Sequence, residues 1–294
     1  MEQKQNIQVL RADPAGNITL FVLSQIEPEV RAAVAAELME QKRFQAEQVG
    51  FLVPDADGGI RMEMAGGEFC GNATRAFGLL LSMWEQTDGM RKVSVSGCPH
   101  PVLVETSVPD GTSRAQMPLP RSVRRVTNPV NGVLVDLGGI AHLVVKAEPS
   151  MEFFLQAESV FDEIEGLEAY GVIFLGDEAK EKDSAKERGI AEQSEGDGAK
   201  TLCSARRMTP LVKVKATNAV VFEGSCGSGS YAAAIAESLW DAKQRNEMET
   251  VVKRYIQPAG VIEVTIAVKD GMVKEGWIGG SVRFDAPEET EVIY

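Results

Sequence analysis

The sequence predicts an α/β protein built from two similar units, on three observations. A turn-then-strand segment, DPAGNITLFV at 13–22, returns as DLGGIAHLVV at 136–145, with Asp, Gly, Leu and Val at matching places. A Cys-Gly pair opens what reads as an amphipathic helix in GGEFCGNATRAFGLL at 66–80, and again in EGSCGSGSYAAAI at 223–235. The chain has 294 residues, 44% apolar and 25% charged, enough for a substantial buried core.

In the first half, alternating or continuous apolar residues predict strands near 8–11, 18–22, 60–64, 93–95, 102–106 and 115–118. A helix is expected over 28–48: Pro28 suits a first turn, and Val30, Val34, Leu38 and Met39 recur at helical spacing. A second helix starts at Cys70, with Ala73, Ala76, Phe77, Leu80 and Trp84 on one face. The second half repeats this order. Its offset grows from 123 residues at Gly16 and Gly139 to 156 at Cys70 and Cys226, which implies about one extra loop. The segment GDEAKEKDSAKERGIAEQSEGDGAK at 176–200, dense in both charges and poor in apolar residues, reads as that solvated excursion. The halves meet near 126–131, which gives units over 1–127 and 128–280.

The 30 basic and 43 acidic residues leave a formal charge of −13, which argues against nucleic acid or an anionic membrane as partner. No apolar run reaches the length of a membrane span, and MEQKQNIQVL lacks the pattern of a signal peptide, so a cytoplasmic location is expected. Cys70, Cys98, Cys203 and Cys226 then read as free thiols rather than a disulfide frame. No CxxC occurs and the histidines are His100 and His142, so no metal site is expected; Cys98-Pro-His100 is a weak lead without partner ligands. The sequence is compatible with a homodimer but does not fix the oligomeric state.

Each of Cys70 and Cys226 stands at the first turn of a helix. The unpaired N–H groups and the helix dipole there favour a thiolate and form an anion site. Gly71 and Gly227 let a ligand approach the backbone, and Asn72, Ser225 and Ser228 add short polar groups. If the repeat points both helix starts at one cleft, a bound carboxylate lies between two thiols. One sulfur can then remove the α-proton as thiolate while the other protonates the opposite face, and the configuration inverts with no cofactor. Taken singly, each cysteine is equally a small buried hydrophobe. The paired context points to chemistry, and Cys98 and Cys203, which lack it, read as non-catalytic.

At these residues the chain resembles diaminopimelate epimerase and its relatives, the two-cysteine racemases that need no cofactor. Gly16-Asn17, Cys70-Gly71-Asn72 and Cys226-Gly227-Ser228-Gly229 match the family's motifs. GGIAHLVV places His142 at the family histidine, with Ile140 and Ala141 in place of Asn-Pro. The resemblance implies two pseudo-symmetric units, each a curved mixed sheet wrapped around a central helix. It also implies a C-terminal strand, about 281–294, that returns to the first unit; EGWIGGSVRFD at 275–285 leads into it. A departure concerns the substrate. Thr217 and Asn218 stand where the family's Glu-Arg would grip a distal carboxylate, so diaminopimelate lacks its expected partner.

DPAGNITLFV, EQVGF, GGEFCGNAT, VSGC and EGSCGSG look like the branch of histidine racemases that serve opine-type metallophore synthesis. That likeness implies catalytic Cys70 and Cys226, with Asn17, Glu47, Gly71, Asn72, His142, Glu223, Gly227 and Ser228 around the substrate. Glu47 and Glu223 are either acceptors for an imidazole or ammonium N–H, or capping and surface glutamates. His142 either orients the substrate or a thiol, or is a satisfied core residue. The alternatives are a racemase or epimerase of another amino acid on the same fold, a pyridoxal-phosphate enzyme, and an amino-acid-binding protein without turnover. No residue identifies a Schiff-base lysine.

Overall fold

In the computed structural model, which describes residues 4–56, 58–179, 205–215, 218–240 and 247–294, the chain divides into two compact units. One is Met1–Gln116 with Gly279–Tyr294, the other Met117–Ile278.

The first unit runs β1 (Lys4–Asp13), β2 (Thr19–Val22), α1 (Arg31–Glu40), β3 (Gln48–Pro54), β4 (Ile60–Met64), α2 (Gly71–Glu85), β5 (Gly89–Val93), β6 (Val102–Ser107) and β7 (Thr112–Gln116). β1 and β2 are antiparallel, β2 and β3 parallel, β3 and β4 antiparallel. Side chains alternate between the faces of this mixed sheet. Ile7, Val9, Leu20, Val22, Phe51 and Val53 pack with Val34 and Leu38 of α1. Leu10, Ala12, Phe21, Leu52, Met62 and Met64 pack with Ala73, Ala76 and Phe77 of α2. The antiparallel run β5–β6–β7 covers the other side of α2. Enclosure on both sides explains why every residue of α2 from Gly71 to Ser82 is buried.

The second unit runs β8 (Ser122–Val126), β9 (Gly132–Asp136), β10 (Ile140–Val145), α3 (Met151–Ala157), β11 (Ala169–Glu178), β12 (Ala205–Val214), β13 (Ala219–Phe222), α4 (Gly227–Trp240), β14 (Glu249–Ile256), β15 (Val261–Lys269) and β16 (Met272–Ser281), whose end from Gly279 on belongs to the first unit. It repeats the pairing of the first. β9 and β10 are antiparallel, β10 and β11 parallel, β11 and β12 antiparallel. α4 packs against β9–β11 and against the antiparallel pair β14–β15, so it too is a central helix. In β10, Ala141, Leu143 and Val145 join the cluster with Phe154 of α3. Alternation therefore turns His142 to the other face, where α4 lies. In both matched turns the aspartate side chain holds a glycine N–H, three residues on in the first and two residues on in the second. Gly16 N–H donates to Asp13 Oδ1 at 2.6 Å, and Gly138 N–H to Asp136 Oδ1 at 2.8 Å. Gly138 has φ 106°, a conformation that glycine adopts without steric cost.

After β16 the chain adds β17 (Arg283–Phe284) and β18 (Glu288–Ile293), both antiparallel to β1.

The expected helix over 28–48 is shorter. A 3₁₀ turn at Pro28–Val30 leads into α1, which ends at Glu40, and Met39 is 43% exposed. The chain turns over residues 41–47, and the apolar run VGFLVP beyond them forms most of β3, an additional strand that buries both faces between β2 and β4. Trp84, expected on the buried face of α2, is 47% exposed at the helix end. The charged segment begins inside β11, which extends to Glu178; residues 180–200, Cys203 and Thr217 lie outside the described residues. Among the described residues no helix is long and apolar enough to cross a membrane.

Candidate active site

In the first unit the β4–α2 loop delivers Cys70 in extended conformation (φ −122°, ψ 111°) as the cap of α2. Its Sγ accepts from Ala73 N at 3.4 Å. Its carbonyl is held by Thr74, through N at 2.9 Å and Oγ1 at 2.7 Å. A string of polar side chains meets this turn. Asn17 Nδ2 donates to Glu47 Oε2 at 2.7 Å, and Asn17 Oδ1 accepts from Gln48 Nε2 at 2.8 Å and from Asn72 Nδ2 at 3.4 Å. Asn72 Oδ1 accepts from Arg75 Nε at 3.1 Å. The structure thus brings together Asn17, Glu47, Cys70, Gly71 and Asn72. Burial raises the Glu47 carboxyl; the Asn17 bond lowers it, and Asp13 adds to the rise. Burial also raises the Cys70 thiol, against the Ala73, Gln48 and Asn72 hydrogen bonds that favour its thiolate, while Glu68 adds to the rise.

In the second unit Cys226 immediately precedes α4 and repeats the cap. Sγ accepts from Gly229 N at 3.3 Å, and the Cys226 carbonyl is held by Ser230 N at 3.0 Å and Ser230 Oγ at 2.7 Å. Gly229 sits where a larger residue would force its neighbours to shift. A Cβ there would come within 2.6 Å of Ile173 Cδ1 and 3.1 Å of Cys226 Sγ. Gln257 fixes the backbone from outside, with Oε1 accepting from Cys226 N at 2.7 Å and Nε2 donating to Ser230 Oγ at 3.0 Å.

The Cys226 sulfur heads a short chain of groups. Ser228 Oγ lies 3.5 Å from Sγ and 2.8 Å from His142 Nε2. His142 is fully buried, and burial lowers its pKa to about 3, so it is a neutral imidazole. Its Nδ1 has no hydrogen-bond partner among the described residues. The Cys226 thiol is raised well above its ordinary value, first by burial and then by the Glu223 carboxylate beside it; the Ser228 and Gly229 hydrogen bonds act in the opposite direction. Cys226, Gly227, Ser228, His142 and Glu223 are therefore one cluster. A helix start alone favours a thiolate, but at both sulfurs burial outweighs it.

Three residues at these sites carried no signal of their own. Gln48 was one position from the singled-out Glu47, inside EQVGF. Arg75 is buried in α2, although charge at that position suggests a surface. Gln257 follows β14, far from Cys226 in sequence. Asn218 sits at φ 53° in the turn between β12 and β13. Cys98 is a free, partly buried thiol packed on the first unit's core. Among the described residues no three His, Cys, Asp or Glu side chains are grouped to hold a metal.

The model of the histidine racemase CntK N-terminal domain matches residues 6–182 and 178–289. The chain belongs to the histidine racemase family. It is 27% identical over 274 residues to a histidine racemase of Staphylococcus aureus, covering 89% of each chain. It is also 27% identical over 247 residues to one of Fusobacterium nucleatum subsp. nucleatum, covering 79% of this chain and 81% of the relative. Among solved structures, a PhzF-family phenazine biosynthesis protein of Bacillus anthracis superposes with a TM-score of 0.63 at 12% identity, covering 98% of this chain and 99% of that one. A hydroxyproline epimerase of Agrobacterium vitis gives 0.57 at 11% identity, covering 99% and 94%. These likenesses carry the fold, and family membership makes the chain an isomerase, an amino-acid racemase.

Proposed function

We propose that the chain racemises histidine without a cofactor and that Cys70 and Cys226 are its two acid–base groups. The observation that carries this reading is the duplicated cap. At equivalent points of the repeat, each sulfur accepts an N–H three residues on and each cysteine carbonyl is held by a hydroxyl four residues on. Inversion needs one base and one acid acting on opposite faces of Cα. One sulfur, as thiolate, takes the α-proton and becomes a thiol. The other, as thiol, gives its proton to the opposite face and becomes the thiolate. First-turn N–H groups, which a helix leaves without intrahelical partners, suit the charge that develops on the substrate carboxylate.

Glu47 and Glu223 support histidine as substrate, since a carboxylate can accept from an imidazole or ammonium N–H. Asn72, Ser228 and His142 would orient the bound amino acid. Asn218, in a turn ahead of β13, supplies no cation for a second carboxylate, which weighs against diaminopimelate.

The test follows L-histidine by chiral chromatography, and α-deuterium incorporation from deuterated water by mass spectrometry. Wild-type protein should form D-histidine and exchange the α-proton. Cys70→Ser and Cys226→Ser, made singly, should each lower racemisation by at least about 10²-fold, as loss of a general acid or base does, while Cys98→Ser should not. Near wild-type turnover in either of the first two variants would exclude the two-base scheme. Binding of histidine without exchange would favour a non-catalytic protein.

A further inference from the structure

The turn after each cysteine is matched residue by residue: Gly71 with Gly227, Asn72 with Ser228, Ala73 with Gly229, Thr74 with Ser230. The match breaks at the fifth position, where α2 carries Arg75 and α4 carries Tyr231. Both side chains are completely buried.

Arg75 is an unusual cation. Its Nε donates to Asn72 Oδ1 at 3.1 Å, and its Nη1 to the carbonyls of Gly280 and Ser281 at 3.0 and 3.1 Å. Its Nη2 is buried with no hydrogen-bond partner among the described residues. Every acceptor it has among the described residues is neutral. The nearby Asp13 carboxylate is already held by Arg283 at 2.7 Å and by Gly16 N–H. Burial lowers the Arg75 pKa to about 10, opposed by Cys70 and then Asp13; at Cys70 itself the groups that favour the thiolate are the Ala73, Gln48 and Asn72 hydrogen bonds, and Asn72 is the residue that Arg75 holds. A buried guanidinium without an ion-pair partner is costly and favours ionisation of a neighbouring acid.

Among its described residues the second unit has no such cation. Cys226 meets the Glu223 carboxylate, the hydroxyl of Ser228 and, through it, a neutral His142. The position matching the guanidinium is a neutral phenol. Around Cys70 the acidic groups are Glu68, close to the sulfur, and Glu47, which reaches it through Asn17 and Gln48.

We infer that Arg75 is a positioning residue that makes the two thiols unequal: its buried guanidinium fixes the Asn72 amide and favours negative charge on Cys70, so Cys70 ionises first in the ligand-free protein while Cys226 keeps its proton. This rests on the reading of Cys70 and Cys226 as the acid–base pair. L- and D-amino acids have equal free energies in water, so kcat/KM must be the same in both directions. The inequality is therefore read in the thiols themselves.

The experiment is alkylation of the substrate-free, full-length protein by iodoacetamide across a pH series, read at each cysteine by peptide mass spectrometry. The midpoint of each rate profile, rather than its height, reports ionisation. In wild type the Cys70 midpoint should lie below that of Cys226. Arg75→Gln should slow Cys70 alkylation near pH 8 by about tenfold or more, a one-unit rise in midpoint, and leave the Cys226 midpoint in place. Arg75→Lys, which keeps the charge and loses the planar fork, should hold the Cys70 midpoint nearer wild type while raising KM through the loosened Asn72. A Cys226 midpoint at or below that of Cys70 in wild type overturns the inference, and this needs no variant to fold. So does an unchanged Cys70 profile in folded Arg75→Gln. Loss of the two-base reading would appear separately, as turnover that survives Cys70→Ser or Cys226→Ser.

Discussion

At the scale of single residues, the His142–Ser228–Cys226 chain has consequences that can be measured. A buried histidine with a pKa near 3 binds its proton far less readily than the same residue in the unfolded chain, near its ordinary 6.5. Between these values the unfolded state holds more protons than the folded one. The contribution of His142 to stability is therefore fully present above about pH 6.5 and is lost as pH falls towards 3. Melting temperature should fall across that window in wild type, and less steeply in His142→Gln. Parallel curves would mean that His142 is not buried as a neutral imidazole. Ser228→Ala leaves the His142 Nε2 without its partner, at a cost of about 1–3 kcal/mol. It also removes a hydroxyl beside the Cys226 sulfur, so both stability and turnover should fall, as thermal unfolding and the chiral assay would show.

At the scale of the element, the two helix starts explain why small residues sit where they do. Alanine at the third residue of α2, Ala73, is accommodated beside Cys70. Alanine at the matching Gly229 would displace the tip of Ile173 and crowd the Cys226 sulfur. Helix propensity alone would make Gly229→Ala stabilising by up to about 1 kcal/mol. Overpacking should reverse the sign, with a loss of about 1–3 kcal/mol. A displaced sulfur should also lower turnover by roughly 10–100-fold, since reacting groups tolerate little misplacement. A higher melting temperature with unchanged kcat would show that the cap of α4 does not constrain Cys226. The same comparison separates what was readable at these helices. The cysteines, glycines and small polar residues announced themselves by repetition. Gln257 could not, because the bond it makes to Cys226 N joins residues 31 apart in sequence.

At the scale of the whole molecule, the question is which amino acid the protein accepts. The Glu47 and Glu223 carboxylates suit a side chain that can donate a hydrogen bond. Histidine should be processed well ahead of leucine or phenylalanine, because neither apolar side chain can donate a hydrogen bond to these carboxylates. Diaminopimelate loses the charge-assisted bonds of an arginine clamp, worth about 1.5–3 kcal/mol, or roughly 10–150-fold in kcat/KM. Comparison of kcat/KM for L-histidine, diaminopimelate and the apolar amino acids decides this. Efficient turnover of diaminopimelate with histidine inert would mean that another residue binds the far carboxylate.

By itself the sequence determined the α/β class, the repeat, the two cysteine-led helices and most of the residues around them. These are local properties: turn chemistry, apolar periodicity and small residues at a helix start act within a few positions. The tertiary structure decided what depends on neighbours distant in sequence. It ended α1 at Glu40, turned the chain over residues 41–47 and paired the apolar run VGFLVP between β2 and β4 as a strand buried on both faces. It turned His142 towards α4 by the two-residue alternation of β10, and there burial made the imidazole neutral. It enclosed α2 so completely that Arg75, an ordinary surface residue by composition, became a buried cation whose acceptors are one amide oxygen and two backbone carbonyls. Burial and charge at these positions are sums over the surrounding fold, and no short window of sequence contains them.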